Sequence, residues 1–159
     1  SSYYRSKKLS NINVPLNKTI KHVLDKFKVK NCNSILVRNV QSPFIKTSLI
    51  ESAINYFKIF NVDSVVGLET EEFKIFKNSG KGMKLVFNPT SNLKLESEQL
   101  YKKIPGFLLS KLDIDFIMEE NYNKNKTGHV ILDPLSCTVI TKESDLKISD
   151  FILRNEIFK

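Results

Sequence analysis

Two apolar runs, SILVRNV at 34–40 and VDSVVGL at 62–68, bracket the amphipathic segment SLIESAINYFKIF, and this arrangement restricts the fold more than any other feature. Each run is nearly continuous and ends abruptly in polar residues, the pattern of a strand buried on both faces of a parallel sheet. The segment between them places Ile50, Ala53, Ile54 and Phe57 on one stripe at helical spacing. Ser48 and Glu51 have the spacing of a capping box at its start, and Asn61 and Asp63 end it. Ser34 to Leu68 therefore reads as one β-α-β crossover.

The rest of the chain is read outward from that unit. VPLNKTIKHVLDKF carries Leu16, Ile20, Val23, Leu24 and Phe27 on one face, with Pro15 suited to a first turn, and predicts a helix. After Leu68, pieces around Phe73 to Lys77 and Met83 to Phe87 flank Gly80 and Gly82 and predict a hairpin. SEQLYKKIPGFLLSK predicts a short helix ended by Pro105 and a strand from Phe107. KLDIDFIMEENY predicts a helix, and HVILDP and CTVI two last strands. A closing helix follows, with Thr141 as N-cap and Ile148, Phe151 and Ile152 facing inward. The result is a single α/β domain over residues 1–159, a mostly parallel sheet flanked by helices with a small excursion after the second parallel strand.

Composition narrows the function classes. A formal charge of +8 draws attention to nucleic acid, but the lysines are spread along the chain and their densest groups, Lys7 with Lys8 and Lys102 with Lys103, are only pairs. A solvated basic surface is expected rather than a polynucleotide site, and the charge equally suits a small anionic substrate. No run of about 18 apolar residues exists, so no membrane span is expected. Cys32 and Cys137 lie apart inside apolar runs, as reduced core thiols do, which favours a cytoplasmic location.

Most local motifs carry little chemistry. SGKGMK resembles part of a phosphate loop, but that motif needs a helix after the glycines, and a strand is expected here. His22 falls on the polar side of its helix. His129 opens a strand with no Cys or carboxylate at ligand spacing. Asp113 and Asp115 point to different faces of their helix and do not form a Mg²⁺ pair. RNVQSPFI is the better candidate. It leaves the carboxyl end of a buried strand, where open α/β sheets bind ligands. Arg38, Asn39, Gln41 and Ser42 supply a cation and hydrogen-bonding groups suited to a nucleotide or sugar; the composition fits an ordinary β-α loop equally well.

The order of short motifs resembles the cytidylyltransferases of the CMP-sialic acid synthetase type. YRSKKLS is similar to that family's Arg-Pro-x-x-Leu-Ser segment, and LNKTIKHVLDKF to its following helix. ILVRNVQSPFIKTSLIESAI is similar to its strand ending in Gln-Pro-Thr-Ser-Pro-Leu-Arg, and VDSVVGL to Ala-Asp-Ser-Val-Val-Ser-Val. EQLYKKIPGFLLSK and GHVILDPLSCTVITKESDL are similar to its later strand and closing segment. The resemblance implies a Rossmann-like nucleotidyltransferase fold with a dimer-forming excursion. It also implies transfer of CMP from CTP to an acidic 2-keto-3-deoxy sugar with Mg²⁺ as cofactor, and a homo-oligomer or partner subunit.

It equally marks departures. The family's opening strand and Gly-rich basic loop would lie upstream of Ser1. Its two metal-binding Asp positions fall on Val139 and Thr141, while the third acidic residue of its closing motif matches Asp145. Its loop Gln and Arg correspond to Asn39 and Ile45, with Lys46 the nearest cation, and an Arg pair is replaced by Glu96 and Ser97. The resemblance therefore implies weakened or absent turnover, or a non-catalytic interaction module derived from the same fold.

Overall fold

A computed structural model describes residues 4–11, 13–14, 16–27, 32–71, 73–87, 99–112 and 126–155. Its elements are α1 (Leu16–Lys26), β1 (Ser34–Arg38), α2 (Thr47–Phe60), β2 (Ser64–Thr70), β3 (Ile75–Asn78), β4 (Met83–Phe87), β5 (Tyr101–Lys111), β6 (Thr127–Ile131) and α3 (Glu143–Arg154). The expected helix containing Asp113 and Asp115 lies outside the described residues, as do Pro15, Glu96 and Ser97.

The central sheet has the order β1-β5-β2-β6. β5 runs antiparallel to both β1 and β2, and β2 runs parallel to β6. β1, β2 and β6 therefore share a direction, as the crossover predicts, but β5 lies inserted between the two crossover strands and makes the sheet mixed. This insertion also leaves β1 paired on one side only among the described residues. Ser34 to Val37 are accordingly half-buried, rather than enclosed on both faces.

β5 is the largest departure from the sequence reading. Tyr101 to Lys111 form one strand, so the expected strand from Phe107 is present but the segment before Pro105 is strand where a short helix was expected. Proline removes a ladder donor, which a strand tolerates at a bulge, and that is where Pro105 sits. Val66 pairs with Leu108 and Leu68 with Lys103, so Ile104 to Phe107 stand opposite Gly67 alone. Gly106 takes φ +97°, open to glycine at no steric cost, and completes the distortion.

The core lies between α2 and one face of the sheet. Val65, Ile104, Phe107, Leu109 and Val130 meet Ala53 there, with Ile45, Val62 and Leu132 closing the layer and Ile50, Ile54 and Phe57 packed against it. Fully burying one such large side chain stabilises the fold by about 1.5–3 kcal/mol. The helical stripe of α2 thus performs as its spacing requires. Its cap does not. The helix starts at Thr47 after Lys46, which makes no side-chain cap, so Ser48 lies within the first turn and the Ser48–Glu51 box is not formed. Asn61 ends the helix in the left-handed conformation, φ 45°, which asparagine tolerates better than most residues.

Asp63 joins four elements at the far end of the sheet from the β1 loop. Its carboxylate accepts from Lys111 Nζ at 2.7 Å and from the Lys126 backbone N–H at 2.9 Å. Its backbone N–H donates to Lys126 O, and Lys111 N donates to Asp63 O. Lys126 Nζ in turn donates to the Phe60 carbonyl at the end of α2. The Lys111 hydrogen bond foremost, then that from Lys126, hold the Asp63 carboxyl below its ordinary range against the opposing effect of burial.

Four further expectations are corrected. CTVI is not a strand: Thr138 N donates locally to Leu135 O and Ile140 N to Gln41 O, so no ladder forms. The N-cap of α3 is Lys142, not Thr141. Ile148 and Phe151 are more than half exposed, while Ser149 is the buried residue of that helix. Cys32 is exposed rather than a core thiol. No helix among the described residues is long and apolar enough to cross a membrane.

Candidate functional site

β1 delivers its polar loop to the carboxyl end of the sheet, and the β5 bulge holds that loop in place. Asn39 N donates to Gly106 O at 3.2 Å, and Ser42 Oγ donates to Pro105 O at 2.8 Å. Within the loop, the Asn39 carboxamide oxygen accepts from Gln41 N and its amide donates to Gln41 Oε1 at 3.0 Å, an Asx turn closed by a second side chain. Arg38 Nη2 reaches Ser42 O at 3.4 Å. Ile140 N donates to Gln41 O at 2.8 Å, tying the segment after β6 to the same loop.

The five candidate residues therefore separate into four roles. Arg38 and Asn39 line an open groove of about 490 Å³, together with Val37, Lys103, Pro105 and Phe107. Ser42 is 1% exposed, and its hydroxyl is committed to Pro105, so it anchors the loop instead of facing a ligand. Gln41 braces Asn39. Lys46 lies at the end of the loop, with its Nζ 3.9 Å from Asp133 Oδ2.

Asp133 and Ser136 are additions that sequence reasoning missed. Asp133 Oδ1 accepts from Ser136 N at 3.1 Å, a side-chain turn across three residues. Ser136 Oγ is buried 2.8 Å from Asp133 Oδ2 and 2.9 Å from Phe44 O, so its one proton serves two acceptors and joins the β1 and β6 loops. Burial disfavours the Asp133 charge, but the Ser136 hydrogen bonds and the Lys46 cation outweigh it and keep the carboxyl below its ordinary range. The Asp-x-x-Ser spacing within LDPLS was the available signal. Lys103 had no such signal, because its segment was read as helical.

The residues at the expected metal positions do not fit Mg²⁺. Val139 packs against the core. Thr141 donates both its backbone N–H and its hydroxyl to Asp145 Oδ2, each at 2.9 Å, and Lys142 N donates to the same oxygen at 2.9 Å. Asp145 is thus a helix-terminal acceptor, favoured there by the helix dipole as well. Among the described residues no group of three His, Cys, Asp or Glu side chains comes together.

Asp145 also carries a pH signature. The Thr141 backbone N–H, the Thr141 hydroxyl and the Lys142 N–H push its pKa from 3.8 down to about 2. Because the folded value is the lower one, the carboxylate's contribution is complete above about pH 4 and disappears as pH falls through about 2. The amides of Thr141 and Lys142 are expected to lose hydrogen-exchange protection across that window, and Asp145→Asn to remove the transition. A wild-type profile identical to the variant's would refute this role.

The remaining sequence motifs settle as structural features. In SGKGMK, Ser79 N and Oγ donate to Gly82 O, Gly80 N donates to Asn78 Oδ1, and β4 follows, so the segment is a hairpin turn. His22 is exposed. His129 is exposed between the rings of Tyr56 and Tyr101, at 6.0 and 6.1 Å. Burial pushes the Cys137 thiol up to about 11, which leaves it a poor nucleophile.

The architecture has counterparts of known structure. One is 4-diphosphocytidyl-2C-methyl-D-erythritol synthase from Anaerococcus prevotii, 13% identical with a TM-score of 0.56, covering 87% of this chain and 77% of that one. Another is 2-C-methyl-D-erythritol 4-phosphate cytidylyltransferase from Thermus thermophilus, 12% identical with a TM-score of 0.57, covering 96% of this chain and 78% of that one. The fold is that of a cytidylyltransferase. These neighbours support the general fold that the motif order implied, but not the CMP-sialic acid synthetase type in particular. No family model and no curated protein matches the sequence.

Proposed function

We propose that this chain binds a cytidine nucleotide, CTP or a CMP-sugar, in the groove beside the β1 loop, as a cytidylyltransferase-like protein with little or no turnover. The observation that carries the reading is the placement of Arg38 and Asn39 on an open groove at the carboxyl end of β1, in a fold shared with enzymes whose names specify cytidylyl transfer. An arginine and a carboxamide supply charge-assisted and neutral hydrogen bonds to phosphate and base or sugar groups. Lys103 adds positive charge in the groove, and Lys46 stands at the end of the loop beside Asp133. The acceptor of the related reaction is a polyhydroxylated anion, an acidic 2-keto-3-deoxy sugar by motif order, and Lys46 is the cation for its acidic group. Such a role belongs to the cytoplasm.

Weak turnover follows from Val139 and Thr141. A Mg²⁺ ion neutralises charge at the phosphate during nucleotidyl transfer and supplies several kcal/mol of transition-state stabilisation. An alkyl group and a hydroxyl already donated to Asp145 do not hold it. Calorimetry with CTP, with and without Mg²⁺, tests the reading. Saturable binding that Arg38→Ala weakens about tenfold, the loss of one charge-assisted contact, and that changes little with Mg²⁺ is the expected result. Strongly Mg²⁺-dependent binding would favour an active enzyme that draws its metal ligands from elsewhere in the chain.

A second reading, an interaction module that pairs with itself or another subunit, is favoured by the hairpin β3-β4. It forms its own two-stranded sheet, and Phe76 and Met83 are exposed on one side of it. An isolated hairpin is marginal in water, and exposed apolar side chains of this kind mark an association surface. Absence of nucleotide binding in the same calorimetry, with a dimer in sedimentation, is the outcome that selects it.

A further inference from the structure

The hairpin turn that was set aside as a phosphate loop carries a different arrangement suited to an anion. Lys77 and Lys84 face each other directly in the β3-β4 ladder. Like charges in that position are destabilising, on an element whose own stability is already marginal. Neither amine has an acidic partner among the described residues. No Asp or Glu occurs between Phe73 and Phe87, whereas Lys74 and Lys81 add two more cations. Lys77, Lys84, Asn78, Ser79, Leu85 and Val86 line an open hollow of about 600 Å³.

We propose that Lys77 and Lys84 together hold a small phosphate-type anion, inorganic phosphate or pyrophosphate, in this hollow. An anion between the two amines replaces their repulsion with two charge-assisted contacts and so stabilises the hairpin itself. Asn78 Oδ1 is taken by Gly80 N and Ser79 Oγ donates to Gly82 O, so the turn is rigid enough to fix the spacing of the lysines. Successive side chains along a strand alternate faces, so Phe76 and Met83 lie on the opposite side from Lys77 and Lys84. An apolar association through that side leaves the lysine side open, and the inference is independent of nucleotide binding at the β1 loop.

The test is titration of the full chain with phosphate and pyrophosphate, against chloride at equal ionic strength, followed by amide chemical shifts. Saturable shifts at Lys77, Ser79 and Lys84, weakened about tenfold in Lys84→Gln, are the expected result. In Lys84→Glu a cross-strand ion pair replaces the site: hydrogen exchange in the hairpin slows without phosphate and no longer responds to it. Shifts that follow ionic strength alone, or that persist in Lys84→Gln, overturn the proposal. So does tighter binding of a mixed-sequence oligonucleotide than of pyrophosphate at these residues, which would make the hairpin a nucleic-acid contact instead.

Discussion

Gly106→Ala is expected to lower the unfolding free energy by about 2–4 kcal/mol and to dislodge the β1 loop. Two costs combine in that figure: a non-glycine residue in a sparsely populated positive-φ conformation, and overpacking against neighbours. The backbone angle is φ +97°. A Cβ built there meets Ser42 Oγ at 2.7 Å and Asn39 Cβ at 2.8 Å. A serine hydroxyl can turn away only by abandoning Pro105 O, and the Asn39 Cβ moves only with its backbone, which also donates to Gly106 O. Urea denaturation gives the stability change, and the amide shifts of Asn39 to Ser42 report the loop. Unchanged stability with an undisturbed loop would show that the bulge does not hold the site.

Phe107→Ala is expected to have the largest effect on stability, about 3–5 kcal/mol, from lost transfer energy plus the cavity left behind. Phe107 is 1% exposed and belongs to the core formed with α2. For a domain whose total stability lies in the ordinary range of about 5–15 kcal/mol, that loss moves the chain toward unfolding near room temperature. The denaturation midpoint is the measurement, with the slope unchanged if the denatured state is unaffected. A loss below about 1 kcal/mol would mean that the site collapses around the gap, contrary to the place of Phe107 in the core. Although adjacent in sequence, the two substitutions separate two functions of one bulge: Gly106 positions the loop and Phe107 secures the core.

The contrast between them also explains which parts of the fold were legible in the sequence. Periodicity located α1, α2, β1, β2 and β6, because apolar stripes or runs are recorded in local spacing, and the glycines of its turn located the hairpin. β5 was not legible. Proline and glycine in succession look the same locally whether they end a helix or form a bulge, and only pairing with β1 and β2 decides between them. CTVI has strand composition, but its Ile140 N–H donates to Gln41 O rather than to a neighbouring strand. In α3 Ile148 and Phe151 do not face inward, Ile152 is half-buried, and the buried side chain is Ser149.

Legibility of the candidate site was similarly divided. The polar loop after β1 was correctly placed because the end of a strand is a local signal. The separate roles within it were not, since Ser42 becomes an anchor only through Pro105, which is 63 residues away in sequence. Asp133 and Ser136 depend likewise on Phe44, across the sheet's carboxyl end. Val139 and Thr141 were identified as departures from sequence alone, and their surroundings supply the reason they hold no metal: one is core and the other serves Asp145.

Asp63 gives this division of roles a consequence for tolerance to substitution. Its contacts stitch α2, β2, β5 and β6 together at the end of the sheet opposite the β1 loop. Hydrogen bonds concentrated there let the architecture persist while the residues at the other end change. Substitutions in the β1 loop, or around Val139 and Thr141, therefore leave the hydrogen bonds that join these four elements untouched.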